Sequence, residues 1–161
     1  MQKGKLIKTT KFTIMAVSFL IISTLFLFAA CNEEFNNSLV IKQNAPNTTS
    51  TELKYTQTEA TAGQNVYLTW TIDESAKDSA SSYNLMIVDS DKNQLTEDNA
   101  LKSLIIYDEN KKSLGNLTTQ TYGQYALSTV LADNKISAGT YYAVAQFNKD
   151  GIYNVYLQLN E

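Results

Sequence analysis

This 161-residue chain has no histidine and no arginine, and its single cysteine, Cys31, stands near the N-terminus. The usual general base and metal ligand is therefore missing, and with it the histidine-dependent triads and HExxH zinc sites. Acid–base work would fall to carboxylates, which are paired along the chain at Asp73-Glu74, Glu97-Asp98 and Asp108-Glu109. Each pair falls at or beyond the end of an expected strand, where acids ordinarily face solvent. Paired glycosidase acids also need a cleft between them, which a small sandwich seldom offers. No Ser-x-x-Lys is present to suggest a serine–lysine dyad. No catalytic residue is assigned, and the expectation is a non-enzyme without a cofactor.

The stretch most like a metal site is Asp89-Ser90-Asp91-Lys92-Asn93-Gln94-Leu95-Thr96-Glu97-Asp98. Oxygen donors at Asp89, Asp91 and Asn93 match the first three positions of a calcium loop. The match then fails. Gln94 stands where the tight turn wants glycine, Ala100 where a bidentate glutamate should close the shell, and Lys92 adds a positive charge. The expectation is a solvated loop with no metal, Asp89, Asp91 and Asn93 being the weak calcium candidates.

Tyrosine is the other excess, with ten residues. Tyr83, Tyr125, Tyr141 and Tyr153 are expected in the core. Tyr55, Tyr67, Tyr107 and Tyr142 are expected on outer faces, where tyrosine among Asn and Thr makes adaptable contact surface. Tyr67, Tyr107 and Tyr142 form the candidate binding surface. Ordinary half-solvated strand positions are the competing explanation.

The elements that must carry these residues read as strands. Val66, Leu68, Trp70 and Ile72 share one face of an alternating run, and Tyr67, Thr69 and Thr71 share the other. Tyr83 to Val88 and Leu104 to Tyr107 are shorter, nearly continuous apolar runs. Tyr122 to Leu131 groups Tyr125, Leu127, Thr129 and Leu131. In the next run Tyr141, Ala143, Ala145 and Phe147 oppose Tyr142, Val144 and Gln146, and Ile152 to Leu159 groups Tyr153, Val155, Leu157 and Leu159. Asn148-Lys149-Asp150-Gly151 between the last two runs is a hairpin signal. With Leu53 to Thr58 the total is about seven strands, which fits a single antiparallel β-sandwich over residues 52–161. Asp98 to Ser103 is the one stretch that could form a helical turn.

The N-terminus has a different character. Lys3, Lys5, Lys8 and Lys11 precede an almost wholly apolar segment, Phe12 to Phe28, which leads into Ala29-Ala30-Cys31. A basic start, an apolar middle and small residues before a cut site make a secretory signal. Ala29-Ala30-Cys31 resembles the lipobox of bacterial lipoproteins, with Phe28 departing from the usual Leu, Val or Ile. That resemblance implies a signal peptide over residues 1–30 and Cys31 as the lipidated first residue. More than one acyl chain then holds the chain stably to a membrane. An uncleaved anchor and ordinary signal cleavage are the competing readings, and all three place the globular part outside the cytoplasm. Asn32 is not the aspartate associated with inner-membrane retention, so either cell or outer membrane is compatible. Residues 31–51 are polar, Asn-rich and hold the only proline, and they read as a flexible tether with reach of some tens of Å.

Removing residues 1–30 takes four of the 13 basic residues and none of the 16 acids, so the mature charge is 9 − 16 = −7. Such a chain is a poor nucleic-acid binder, and anionic lipid would repel it. Lipid on Cys31 would leave no thiol for a disulfide or a zinc site.

Asp133 to Ala145, with Ala138-Gly139-Thr140-Tyr141 as its turn, is similar to the entry into an inner strand of bacterial immunoglobulin-like modules. The implied architecture is an immunoglobulin-like sandwich lacking its disulfide, and it carries little function. A weaker likeness is to the outer-membrane lipoprotein subunit of type VI secretion systems. It rests on Leu104-Ile105-Ile106-Tyr107-Asp108-Glu109-Asn110, Leu114-Gly115, Tyr142 to Phe147 and Tyr153 to Leu157. The function expected is an envelope lipoprotein that binds a protein or envelope polymer through a monomeric domain. A structural subunit of an envelope machine and a carboxylate enzyme are the alternatives.

Cys31→Ala is expected to abolish metabolic palmitate labelling and leave the protein soluble or unprocessed. Equal labelling of the mutant would exclude lipidation at this residue.

Overall fold

The computed structural model describes residues 34–75, 82–117, 122–130 and 137–160. The expected signal segment and Cys31 lie outside them. The chain divides into units 1–36 and 37–161, and the fold is that of the second. Its strands are β1 (Leu39–Val40), β2 (Lys42–Asn44), β3 (Thr56–Ala60), β4 (Asn65–Ile72), β5 (Ser82–Asp89), β6 (Leu101–Tyr107), β7 (Ser113–Asn116), β8 (Gln124–Ala126), β9 (Gly139–Phe147) and β10 (Gly151–Asn160). Among the described residues no helix is long and apolar enough to cross a membrane.

Period-two patterning puts one face of each long strand inward, and two sheets close on those faces. Sheet one runs β1-β4-β9-β6-β7, and sheet two runs β2-β10-β5-β8, with β3 also pairing with β10. Leu68, Trp70, Leu104, Ile106, Ala143, Ala145 and Phe147 of sheet one meet Tyr83, Leu85, Ile87, Tyr153, Val155 and Leu157 of sheet two, all essentially inaccessible. Size alternates across the central strand: Ala143 is paired with Leu68 and Ile106, and Ala145 with Leu104. Small beside large lets the facing sheet interdigitate at interior density. Tyr83, Tyr125, Tyr141 and Tyr153 are all buried, as expected. Burial first, then the charge of Asp73, pushes the Tyr83 hydroxyl up to about 12.

The expected β-sandwich is the observed architecture, and its wiring is more specific. From β3 to β10 the chain alternates between sheets except at the β6–β7 hairpin, giving the orders β4-β9-β6-β7 and β3-β10-β5-β8. That is the eight-stranded, double Greek-key order of a jelly roll, within the same two-sheet architecture as an immunoglobulin domain. Two tyrosine corners brace it: Tyr141 Oη donates to the Ser137 carbonyl at 2.9 Å and Tyr153 Oη to the Lys149 carbonyl at 3.0 Å.

Several expectations are corrected. The Asp150-Gly151 segment is not a hairpin, because β9 and β10 lie in opposite sheets. The chain instead crosses from one sheet to the other there, and the Phe147 and Tyr153 rings pack against each other across the core, 4.1 Å apart between centroids. The run from Tyr122 forms only the short β8 and then a 3-10 turn, Leu127–Val130, so Thr129 is exposed while Leu127 is buried. The helical turn is Glu97–Asn99, and Leu101 already begins β6.

The domain also begins before residue 52. β1 pairs in parallel with β4, and β2 in parallel with β10, so part of the expected tether belongs to both sheets. Ile41, 5 % exposed, plugs the crossing between them. Asn44 accepts from the Lys54 amide at 2.8 Å and donates to the Lys54 carbonyl at 3.0 Å, closing the loop that follows. These two parallel pairs are the exception in an otherwise antiparallel sandwich.

Trp70 is 2 % exposed and stacks on Tyr141 at 6.2 Å. Trp70→Ala is expected to cost about 3–5 kcal/mol in chemical denaturation. A freely quenched, red-shifted tryptophan in the folded wild type would contradict this placement.

Candidate functional site

The Asp89 segment is a turn built on its own first residue. Asp89 Oδ1 accepts from the backbone amides of Asp91 at 2.9 Å and Asn93 at 2.8 Å. Its Oδ2 accepts from the Asn93 side-chain amide at 3.2 Å. The Asp89 amide donates to the Asn93 carbonyl at 3.0 Å, and Lys92 closes the turn with φ 67°. The Asn93 side chain thus turns an N–H towards the carboxylate.

The same device recurs between β6 and β7. Asp108 Oδ1 accepts from Asn110 and Lys112 amides, both at 2.9 Å. The Asp108 amide donates to Lys112 at 3.0 Å, and Lys111 takes φ 62°. Asp-Ser-Asp-Lys-Asn and Asp-Glu-Asn-Lys-Lys are therefore two copies of one turn. An Asp capping amides two and four residues on, with a residue able to enter the left-handed region fourth, explains the calcium-like spacing. Among the described residues no three His, Cys, Asp or Glu side chains are placed to hold a metal ion.

The paired acids do not converge. Asp73 and Glu74 are exposed, with Asp73 Oδ1 accepting from Ser75 at 2.7 Å. Glu97 and Asp98 are exposed in the 3-10 turn, and Asp98 lies 3.7 Å from Lys149 across open solvent. Asp108 is occupied in its turn beside exposed Glu109.

Tyr67, Tyr107 and Tyr142, by contrast, come together on the outer face of sheet one. Tyr142 is register-paired with Tyr107 on β6 and with Thr69 on β4, and Tyr67 pairs with Val144, two residues along β9. They run diagonally across three adjacent strands. Ile105, opposite Val144, fills the gap, and all five side chains are half-buried. Val40 of β1, 67 % exposed, extends the patch at the Thr69 row. Lys111 of the Asp108 turn sets its ammonium over the Tyr142 ring, 2.7 Å from the centroid. Cross-strand polar pairs bound the patch. At one end Gln146 donates to Asn65 at 2.8 Å and Asn65 to Tyr67 Oη at 3.2 Å; at the other, the Thr71 and Thr140 hydroxyls are 3.3 Å apart.

The sequence reading put Val144 on the Tyr142 face but missed Ile105 and Val40 as its neighbours. The signal for Ile105 was present in Leu104 to Tyr107, a run apolar in both phases. A strand with a solvated outer face should alternate, and this one does not.

Asp89→Ala and Asp108→Ala are each expected to lower stability by about 0.5–2 kcal/mol, the worth of a lost side-chain cap. The loss should be equal in excess calcium and in chelator. A calcium-dependent rise in melting temperature that Asp89→Ala abolishes would restore the metal reading.

No family model matches this chain, and no curated protein matches it. Among solved structures the chain is similar to the pre-peptidase C-terminal domain of a collagenase from Bacillus anthracis, with 11 % identity and a TM-score of 0.41, covering 74 % of this chain and 95 % of that one.

Proposed function

We propose that the protein is a lipid-anchored envelope lipoprotein that acts as a non-catalytic binding module, and that its contact surface is the outer face of sheet one. Cys31 carries the lipid, and the sandwich stands outside the cytoplasm on the cell or outer membrane. The lipid keeps the domain at that membrane, where it engages a partner held there.

The observation that carries the reading is the Tyr67–Tyr142–Tyr107 diagonal with Ile105 and Val144 between its members. Binding patches pair an aromatic and aliphatic centre with a polar rim, and this face has both. Rigid phenol rings lose little entropy on contact, and the pleated strands fix their spacing. The partner that suits such a nearly flat face is an envelope protein, with an extended envelope polymer as the other outcome of the test.

The test is a crosslinking pull-down from the native envelope, comparing wild type with Tyr67→Ala and Tyr142→Ala. Hot-spot truncation should weaken capture about tenfold or more, with melting unchanged. Capture of the same partner at equal strength by both variants would move the interface off this face.

A further inference from the structure

The outer face of sheet two carries a separate site. Between the Asp89 turn and the start of β8 lies a cavity of about 240 Å³. Its floor is Met86 and Val88 of β5, one wall is Lys92 and Gln94, and the other is Tyr122 and Gln124. We infer that this cavity binds a single acidic sugar residue, a pyranose ring bearing a carboxylate, within an envelope glycan.

The walls are held in place. The Ile87 amide donates to the Gly123 carbonyl at 2.8 Å, and a Cβ on Gly123 would come 2.3 Å from the Ile87 oxygen, so only glycine lets this segment approach β5 so closely. Gln94 bridges back to Val88 in the backbone, and its side-chain amide donates to the Tyr122 carbonyl at 3.3 Å. The Asp89 cap fixes the backbone beneath Lys92, and the Lys92 ammonium sits 5.0 Å from the Tyr55 ring centroid. Asn154 of β10 donates to the Asp89 carbonyl at 2.8 Å and steadies the turn from below.

The chemistry selects the ligand class. The volume lies under the roughly 300–1,000 Å³ of drug-sized sites, so the occupant is one small ring. Tyr122, 37 % exposed, offers an accessible aromatic ring above an apolar floor. The C–H face of a pyranose packs on such a surface. Gln94 and Gln124 both line the cavity, and a side-chain amide carries donors and an acceptor, the two kinds of group a ring of hydroxyls requires. In a chain with 16 acids the cavity lining has none, and Lys92 is its one charge. A neutral sugar makes no charge-assisted bond with that cation, whereas a carboxylate does. The site lies on the opposite sheet from the tyrosine face, so either can fail without the other.

The test uses the full-length chain in detergent with glucuronate, glucose and acetate as probes, read by saturation-transfer difference NMR and melting temperature. Glucuronate should give saturable transfer to its ring protons at millimolar concentration, with glucose and acetate at least tenfold weaker. Tyr122→Ala should abolish the transfer, and Lys92→Gln should reduce glucuronate to the level of glucose, both with melting unchanged. Three results would overturn the assignment: no saturable glucuronate binding, equal binding of glucose or acetate, or binding that survives both substitutions.

Discussion

β10 is the strand on which the rest of this fold depends. One edge is shared, β3 pairing antiparallel with Gly151 to Val155 and β2 in parallel with Tyr156 to Gln158, while β5 occupies the other edge from Tyr153 to Asn160. Its inward residues Tyr153, Val155, Leu157 and Leu159 are all in the core. Its outward residues are mostly covered too, which creates a demand for polar partners, because a buried amide without one costs about 1–3 kcal/mol. Asn154 meets the demand on the Asp89 and Ser90 carbonyls, and Gln158 on the Ala45 carbonyl at 3.0 Å. Satisfying β10 therefore positions the Asp89 turn and the segment after β2. Tyr156, edge-to-face with Tyr55 at 5.1 Å, ties down the approach to β3.

Long strands were legible in the sequence because their pattern is a local consequence of a buried face. β4, β9 and β10 alternate over eight to ten residues, and their phase correctly separates Leu68 and Trp70 from Tyr67, or Ala143 from Tyr142. β1, β2 and β8 have two or three residues each, too few for a period to register. They are strands only because longer neighbours offer open edges. Leu39, Val40 and Ile41 therefore fell within the segment 31–51 that reads as a tether. The Asp150-Gly151 misreading has the same origin: turn chemistry reports that the chain reverses, not whether it reverses within a sheet or between two.

The candidate sites show the same division. The tyrosine face could be read from phase alone, since residues of one phase on in-register strands must share a face. The calcium-like spacing could not be judged alone, because an Asp that caps a turn and an Asp that opens a metal loop place their first acids alike. The second copy at Asp108 shows that the turn alone accounts for the spacing, with the lysine in the left-handed fourth position of both. The sheet-two cavity was invisible in sequence, since Lys92 and Tyr122 are brought together only by the jelly-roll order that sets β8 beside β5.

That order has a consequence for the two outer faces of the domain. Sheet one turns outward a patch whose aromatic and aliphatic residues lie in register on three strands. Sheet two turns outward a small concave site whose depth comes from two turns folded over β5. The turn at Asp108 brings Lys111 to the first surface and the turn at Asp89 brings Lys92 to the second, each lysine set against a tyrosine ring. A lysine over a ring keeps its charge while losing conformational freedom. In a chain with 16 acids against 13 lysines, these two cations are held in place by the turn that carries them. The repeated turn therefore does more than reverse the chain: on each sheet it sets a fixed positive charge beside the aromatic residues.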